Sequence, residues 1–213
     1  MIIAWDIETC PLPKNTFSEA QQRRYQRQLD MLLEREPDID PDEASIKVRS
    51  LHPLLGFICA IGVVRFQNDE LGTPHVYTAP LPKHEADMLC QFWNDIQKLP
   101  MVKWTTFNGK RFDCDWLAAR TLAHHLTPTR QDILNRNPYQ HRPHADLFNL
   151  VRHPITLDDL CDLLGVPSPK SDMDGSGVYE AIKAGRLNDV VEYCKRDVIA
   201  TMTCFLAARS CFV

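Results

Sequence analysis

Ala4-Trp5-Asp6-Ile7-Glu8-Thr9 is the stretch from which the rest of the chain is best read. It closes an apolar-rich run, Ile2 to Thr9, with the composition of a β-strand. Side chains alternate faces along a strand, so Asp6 and Glu8 share one face while Trp5 and Ile7 point into the opposite layer. Two carboxylates side by side among apolar neighbours repel each other and lose hydration, a cost that a cation offsets. Hard divalent cations take such oxygen ligands. The alternative, from this stretch alone, is a strand that ends at the surface with two solvated acids.

Two further segments carry chemistry. In Thr105-Thr106-Phe107-Asn108-Gly109-Lys110-Arg111-Phe112-Asp113 a strand ends at Asn108, and Asp113 falls in the first turn of the next helix. Strand-to-helix connections are where α/β sites gather. Asn108 is suited to hydrogen-bond a nucleotide and Phe112 to stack on a base. The plainer account of Asp113 alone is the affinity of acids for helix N-termini. In Tyr193-Cys194-Lys195-Arg196-Asp197, Tyr193 and Asp197 sit four apart on one helix face. Alone, Tyr193 reads as a core tyrosine.

The intervening chain alternates strand and helix signals. Ser18 with Gln21 is a capping-box spacing ahead of a helix from Ser18 to Glu36, and Asp40-Pro41-Asp42-Glu43 starts a second. Gly56 to Phe66 is nearly continuously apolar, as in a strand buried on both faces. His75 to Thr78 is a short strand, Lys83 to Leu99 an amphipathic helix, Val102 to Phe107 a strand and Phe112 to Leu126 a helix. Thr127 to Ala145, with Pro128, Pro138 and Pro143, is expected to be a long functional or mobile loop. Short helices are expected at Thr156 to Leu164 and Gly177 to Ala184, and a long one from Asn188 to Ala208. The order predicts an α/β, three-layer domain with a mixed sheet.

At 213 residues the chain suits one domain, and 44% hydrophobic with 24% charged residues is ordinary for a globular protein. A net charge of −4 counts against a pure nucleic-acid-binding module and is compatible with an acidic metal site. The 8 Cys include no Cys-x-x-Cys pair, which argues against zinc. The opening Met-Ile-Ile-Ala-Trp-Asp lacks a basic leader, and no apolar run reaches membrane-spanning length. The expectation is a reduced cytoplasmic protein without a membrane segment.

Taken together, the three segments resemble, in order and spacing, the three motifs of the DEDD superfamily of 3′–5′ exonucleases. Asp6 and Glu8 fall on the first motif, Asp113 on the second, and Tyr193 and Asp197 on the third. Glu192 stands five before the last Asp, where the other branch has His, so the chain resembles the tyrosine (DEDDy) branch. Leu54 to Gly62, His144-Ala145-Asp146-Leu147 and Gly165 to Val178 resemble predicted exonucleases related to the proofreading domain of family B DNA polymerases. The resemblance implies a ribonuclease H-like fold with a five-stranded mixed sheet. It implies two Mg²⁺ or Mn²⁺ ions on Asp6, Glu8, Asp113 and Asp197, with Asp6 bridging and Tyr193 orienting the attacking water. It implies hydrolysis at 3′ ends of nucleic acid, single-stranded DNA before RNA, releasing nucleoside 5′-monophosphates. Thr9, Asn108, Phe112 and Lys170 are the expected substrate contacts. Residues 14 to 50 match least and read as a helical insertion.

Other features have plainer accounts. His141, His144 and Asp146 suggest a metal cluster, but a loop His144 and a capping Asp146 are the better reading. Arg23, Arg24 and Arg27 read as a solvated helix face, and Cys114 and Cys194 as packing. The rival functions are an RNA-trimming exoribonuclease, a silent exonuclease-like domain that binds nucleic acid or a replication or repair partner, and a proofreading module acting in trans.

Overall fold

The structure, a computed structural model, describes residues 1–151, 153–169 and 173–212; Lys170 lies outside the described residues. At its centre β1 (Ile2–Pro11) pairs antiparallel with β2 (Gly56–Gln67), from Ile2 opposite Phe66 to Pro11 opposite Gly56. The register shifts between Glu8 and Thr9, where Ala60 and Ile58 are their partners, so Cys59 is an extra residue on β2. Such a bulge bends a strand and re-aims its side chains.

The far edge of β2 is covered by two short pieces, β3 (Glu70–Leu71) and β4 (His75–Thr78), which lie end to end. On the other side of β1 come β5 (Lys103–Thr106) and β6 (His144–Asp146), both parallel. The six strands therefore fill five positions, giving the mixed sheet expected.

Helices cover both faces. Trp5, Ile7 and Ile3 pack beneath α3 (Glu85–Gln97) and α4 (Asp113–Ala123) in the main core, with Trp104 and Trp116 also fully buried there. Burying a large apolar side chain contributes on the order of 1.5–3 kcal/mol, so this layer is a main source of the fold's stability. The opposite face carries α5 (Leu157–Leu164), α6 (Val178–Lys183) and α7 (Leu187–Ala208), with Ala4 and Val64 against Val198 and Met202. Helices α1 (Glu19–Arg35) and α2 (Pro41–Ser50) form a hairpin with its own small core of Tyr25, Leu32, Ala44, Val48 and Leu55. Both N-caps act as expected: Ser18 and Gln21 close a capping box, and Asp40 accepts from Asp42 and Glu43.

The α3–α4 layer buries a carboxylate. Glu85 accepts the Ile58 N–H at 2.7 Å and a fork from Arg120, with Nη2 at 2.6 Å and Nε at 3.0 Å, and pairs with His124 Nε2 at 2.7 Å.

Two expectations need correction. His144 is not in a loop: it is a buried residue of β6, bonded through Nε2 to Thr106 Oγ1 at 2.8 Å. Three residues carry too little periodicity to mark a strand; only the pairing with Trp104 to Thr106 makes one. Nor is the Thr127 to Ala145 connection a loose loop. Arg130 pairs with Asp132 at 2.6 Å, Trp104 Nε1 donates to Asp132 at 3.0 Å, and Ile133 is fully buried. The Lys110 ammonium donates to the carbonyls of Asn137 and Gln140, both at 2.5 Å. These anchors come from elements distant in sequence, which local composition does not reveal.

Candidate active site

β1 and β5 pair only from Ile2, Ile3 and Ala4 to Lys103, Trp104 and Thr105. Beyond Ala4 the strands part, and the edge of β1 carrying Asp6 and Glu8 loses its neighbour. A buried backbone N–H left there would cost free energy. The Ile7 N–H instead donates to Asp113 Oδ1 at 3.0 Å, so the third carboxylate is tied to the strand that bears the first two.

The loop before Asp113 is held by Asp146. Its carboxylate accepts the Asn108 N–H at 2.7 Å, the Lys110 N–H at 2.9 Å and the Phe148 N–H at 3.1 Å. Asn108 adopts a left-handed backbone, φ 61°, which Asn tolerates better than most residues. A Cβ on Gly109 would lie 2.5 Å from the Thr106 side chain, so only glycine fits. Asp146 thus caps the turn after β6, as its sequence suggested, and also shapes the loop that presents Asp113. That second role joins residues 36 and 38 apart, and no local spacing announces it.

The fourth carboxylate arrives on α7. At Gly62, the partner of Asp6 across the β1–β2 ladder, a Cβ would come 2.6 Å from Cys194 Sγ and 3.0 Å from Val198. The missing side chain lets α7 lie directly on β2, and this sets Tyr193 and Asp197 over Asp6 and Glu8. Tyr193 and Asp197 are hydrogen-bonded to each other. Cys194 Sγ lies within 4.8 Å of carboxylate oxygens of Asp6 and Glu8.

The electrostatics follow from this crowding. Burial, with the charges of Asp113, Glu8 and Asp197, raises Asp6 well above the usual carboxylate range. Burial, then Asp197 and Asp113, does the same to Glu8. Burial pushes Asp113 up to about 7 against the Ile7 hydrogen bond, and Asp197 up to about 6 against its bond from Tyr193 and the charge of Arg196. The Tyr193 phenol is pushed far above its ordinary range by burial and by Glu8, Asp197 and Asp6, and so stays protonated. Burial and the same carboxylates raise the Cys194 thiol too, which leaves a neutral S–H at the floor.

The remaining expected contacts are more scattered. Thr9 lies at the rim with its Oγ1 donating to Ser50 O of α2 at 2.6 Å. Asn108 is in the shaped loop. Phe112 is half-buried against Trp116, with ring centroids 5.8 Å apart, and packs on the main core. Asp115 faces away and pairs with Arg136 at 2.6 Å. A groove of about 700 Å³ is lined by Thr156, Met173, Asp174, Tyr193 and Asp197.

A family described as predicted 3′–5′ exonucleases related to the exonuclease domain of PolB matches residues 51–211. The chain belongs to this family. Its match begins after β1, so the placement of Asp6 and Glu8 rests on the geometry above. Among solved structures, the family B DNA polymerase from the hyperthermophilic archaeon Pyrobaculum calidifontis is similar over 98% of this chain at 20% identity and a TM-score of 0.65. The chain spans 24% of that polymerase, and the likeness is one of fold. Comparison with curated proteins finds no match. Among the described residues no helix is long and apolar enough to cross a membrane.

Proposed function

We propose that the chain is a metal-dependent 3′–5′ exonuclease of the DEDDy type that removes nucleoside 5′-monophosphates from single-stranded DNA. The observation that carries this reading is the convergence of Asp6, Glu8, Asp113 and Asp197, from three distant segments, into one cluster where each holds its proton more tightly than a free carboxylate. A set of four carboxylates in mutual repulsion fits hard divalent cations, Mg²⁺ or Mn²⁺. Two such ions on these four carboxylates would activate water and stabilise the leaving 3′ oxygen.

The chain's own groups do the positioning. Tyr193 donates its hydroxyl proton to Asp197 and keeps lone pairs free to hold the attacking water in line. The Ile7 N–H fixes Asp113, and Asp146 fixes the loop behind it. Thr9 and Asn108 are the groups we assign to the terminal nucleotide; Phe112, packed on the main core, is less free for stacking. Residues 14–50 we read as an insertion in a single domain, supported by their separate small core. Nucleic acid is the expected partner.

The test uses matched 5′-labelled single-stranded DNA and RNA with Mg²⁺ or Mn²⁺, an EDTA control and Asp197→Ala. A metal-dependent ladder shortening from the 3′ end, absent in the variant, is expected, and the faster ladder reports the preferred sugar. Intact strands with every metal would sink the reading and favour a binding module.

A further inference from the structure

The 8 cysteines are more than the proposed chemistry uses, and two of them meet far from the carboxylates. Cys161 of α5 and Cys204 of α7 are 43 residues apart in sequence, yet their Sγ atoms lie 3.5 Å from each other. Both are fully buried, in the cluster that also holds Leu160, Ala200 and Phe205. The sulfurs of a disulfide are about 2 Å apart, so a bond here asks for roughly 1.5 Å of approach. Rotation of the two side chains and a small shift of one helix supply that.

The two helices that carry this pair also wall the groove of the candidate site. Thr156 and Leu157, which open α5, line it together with Tyr193 and Asp197 of α7. Cys161 follows Leu157 by one turn, and Cys204 follows Asp197 by two turns on the same side of α7. The helices differ in how firmly they are held. α7 has 22 residues and is seated on the sheet through Val198 and Met202. α5 has only 8 and packs chiefly on α7. A tie between the sulfurs therefore moves α5, and with it one wall of the groove.

We propose that Cys161 and Cys204 form a peroxide-responsive disulfide that draws α5 onto α7 and narrows the groove; its effect on strand entry rests on the exonuclease reading above. Hydrogen peroxide is the oxidant. The Cys161 thiolate attacks one peroxide oxygen, the O–O bond breaks, and the departing hydroxide takes up a proton, leaving a sulfenic acid and water. The Cys204 sulfur then attacks the Cys161 sulfur, the S–O bond breaks, and the hydroxyl leaves as a second water with the Cys204 proton. Two thiols have lost two electrons and two protons, and one peroxide has become two waters. Burial raises both thiols, but the hydrogen bond between them favours the Cys161 thiolate and keeps the proton on Cys204, which is pushed up to about 12. Cys161 is thus the sulfur that reacts first, and the pair answers sustained oxidant rather than a brief pulse.

The experiment treats the full chain with hydrogen peroxide, digests it without reduction and maps the peptides by mass spectrometry, beside Cys161→Ala and Cys204→Ala. A Cys161–Cys204 link is expected in wild type and in neither variant. The thermal midpoint of wild type should rise by roughly 5–10 °C on oxidation, and dithiothreitol should reverse the rise. On a 5′-labelled single strand, oxidised wild type should show a KM raised several-fold with Mg²⁺ affinity by calorimetry unchanged, while peroxide-treated Cys204→Ala keeps the KM of its reduced form. Absence of the link, or one mapped instead to Cys10 and Cys59, which also share a hydrogen bond, overturns the proposal. A link that leaves KM unchanged overturns its control of the groove. A reduced protein that cleaves no strand overturns the exonuclease reading alone, since the peptide map and the midpoint still report the link.

Discussion

Two parts of this molecule bury carboxylates, and they do so in opposite ways. Glu85, between α3, α4 and β2, has no exposed surface and is surrounded by donors from Arg120, His124 and the Ile58 backbone. Asp6, Glu8, Asp113 and Asp197 are buried and crowded by one another, with hydrogen bonds from Ile7 and Tyr193 and the charge of Arg196 as partial relief. A buried charge must be compensated. In the first case the chain supplies the compensation and the result is a rivet. In the second it withholds most of it, which leaves a cluster suited to the metal-binding role proposed above.

The comparison can be broken by mutation. Asp6→Ala is expected to abolish hydrolysis while stability stays level or rises, because a repelling charge is lost; unfolding midpoints without metal and ladder assays check both. Wild-type degradation by that variant would remove Asp6 from the site. Glu85→Ala leaves Arg120 buried without its partner and should cost about 3–5 kcal/mol in urea unfolding. Its turnover per folded molecule should remain near wild type, since Glu85 reaches no site residue.

A pH series sharpens the contrast. Asp113 and Asp197 titrate near 7 and 6 in the folded chain, above the ordinary aspartate value of 3.8, so the folded state binds more protons than the unfolded one in that range. Metal-free stability should therefore fall as pH rises from about 4 through about 7, and the raised Asp6 and Glu8 add to the fall. Saturating Mg²⁺ or Mn²⁺ should flatten the slope. A metal-free protein that gains stability across this window would show that the carboxylates are compensated internally. The smallest effect is expected for Tyr193→Phe. It should slow turnover roughly tenfold, about 1.4 kcal/mol, and leave metal affinity measured by calorimetry nearly unchanged.

The legible parts of this chain share one property: their signals are local. Alternation put Trp5 and Asp6 on opposite faces, and Ser18 with Gln21 or Asp40 with Glu43 marked helix starts within a single turn. Tyr193 and Asp197 were readable because helix geometry brings residues four apart together. The parts that escaped depend on partners far away. β6 is a strand only because Trp104 to Thr106 lie beside it. The connection after α4 is rigid because Lys110 and Trp104 reach into it. Glu85 and Arg120 are 35 residues apart; the i,i+4 pair Arg120 and His124 on α4 hints at a buried acid without saying which.

Gly62 has one more consequence. The carboxylates divide into two rigid parts: Asp6 and Glu8 ride on the sheet with Asp113 bolted to it, whereas Asp197 and Tyr193 ride on α7. The two parts meet at Gly62, where there is no room for a Cβ: one would come 2.6 Å from Cys194 Sγ and 3.3 Å from Cys194 O. The spacing between the two groups of carboxylates is therefore a machining tolerance, and the absence of one methyl group sets it. A side chain at that position would press on Cys194 and Val198 and push α7 away from the sheet, parting the two groups of carboxylates without altering any of them.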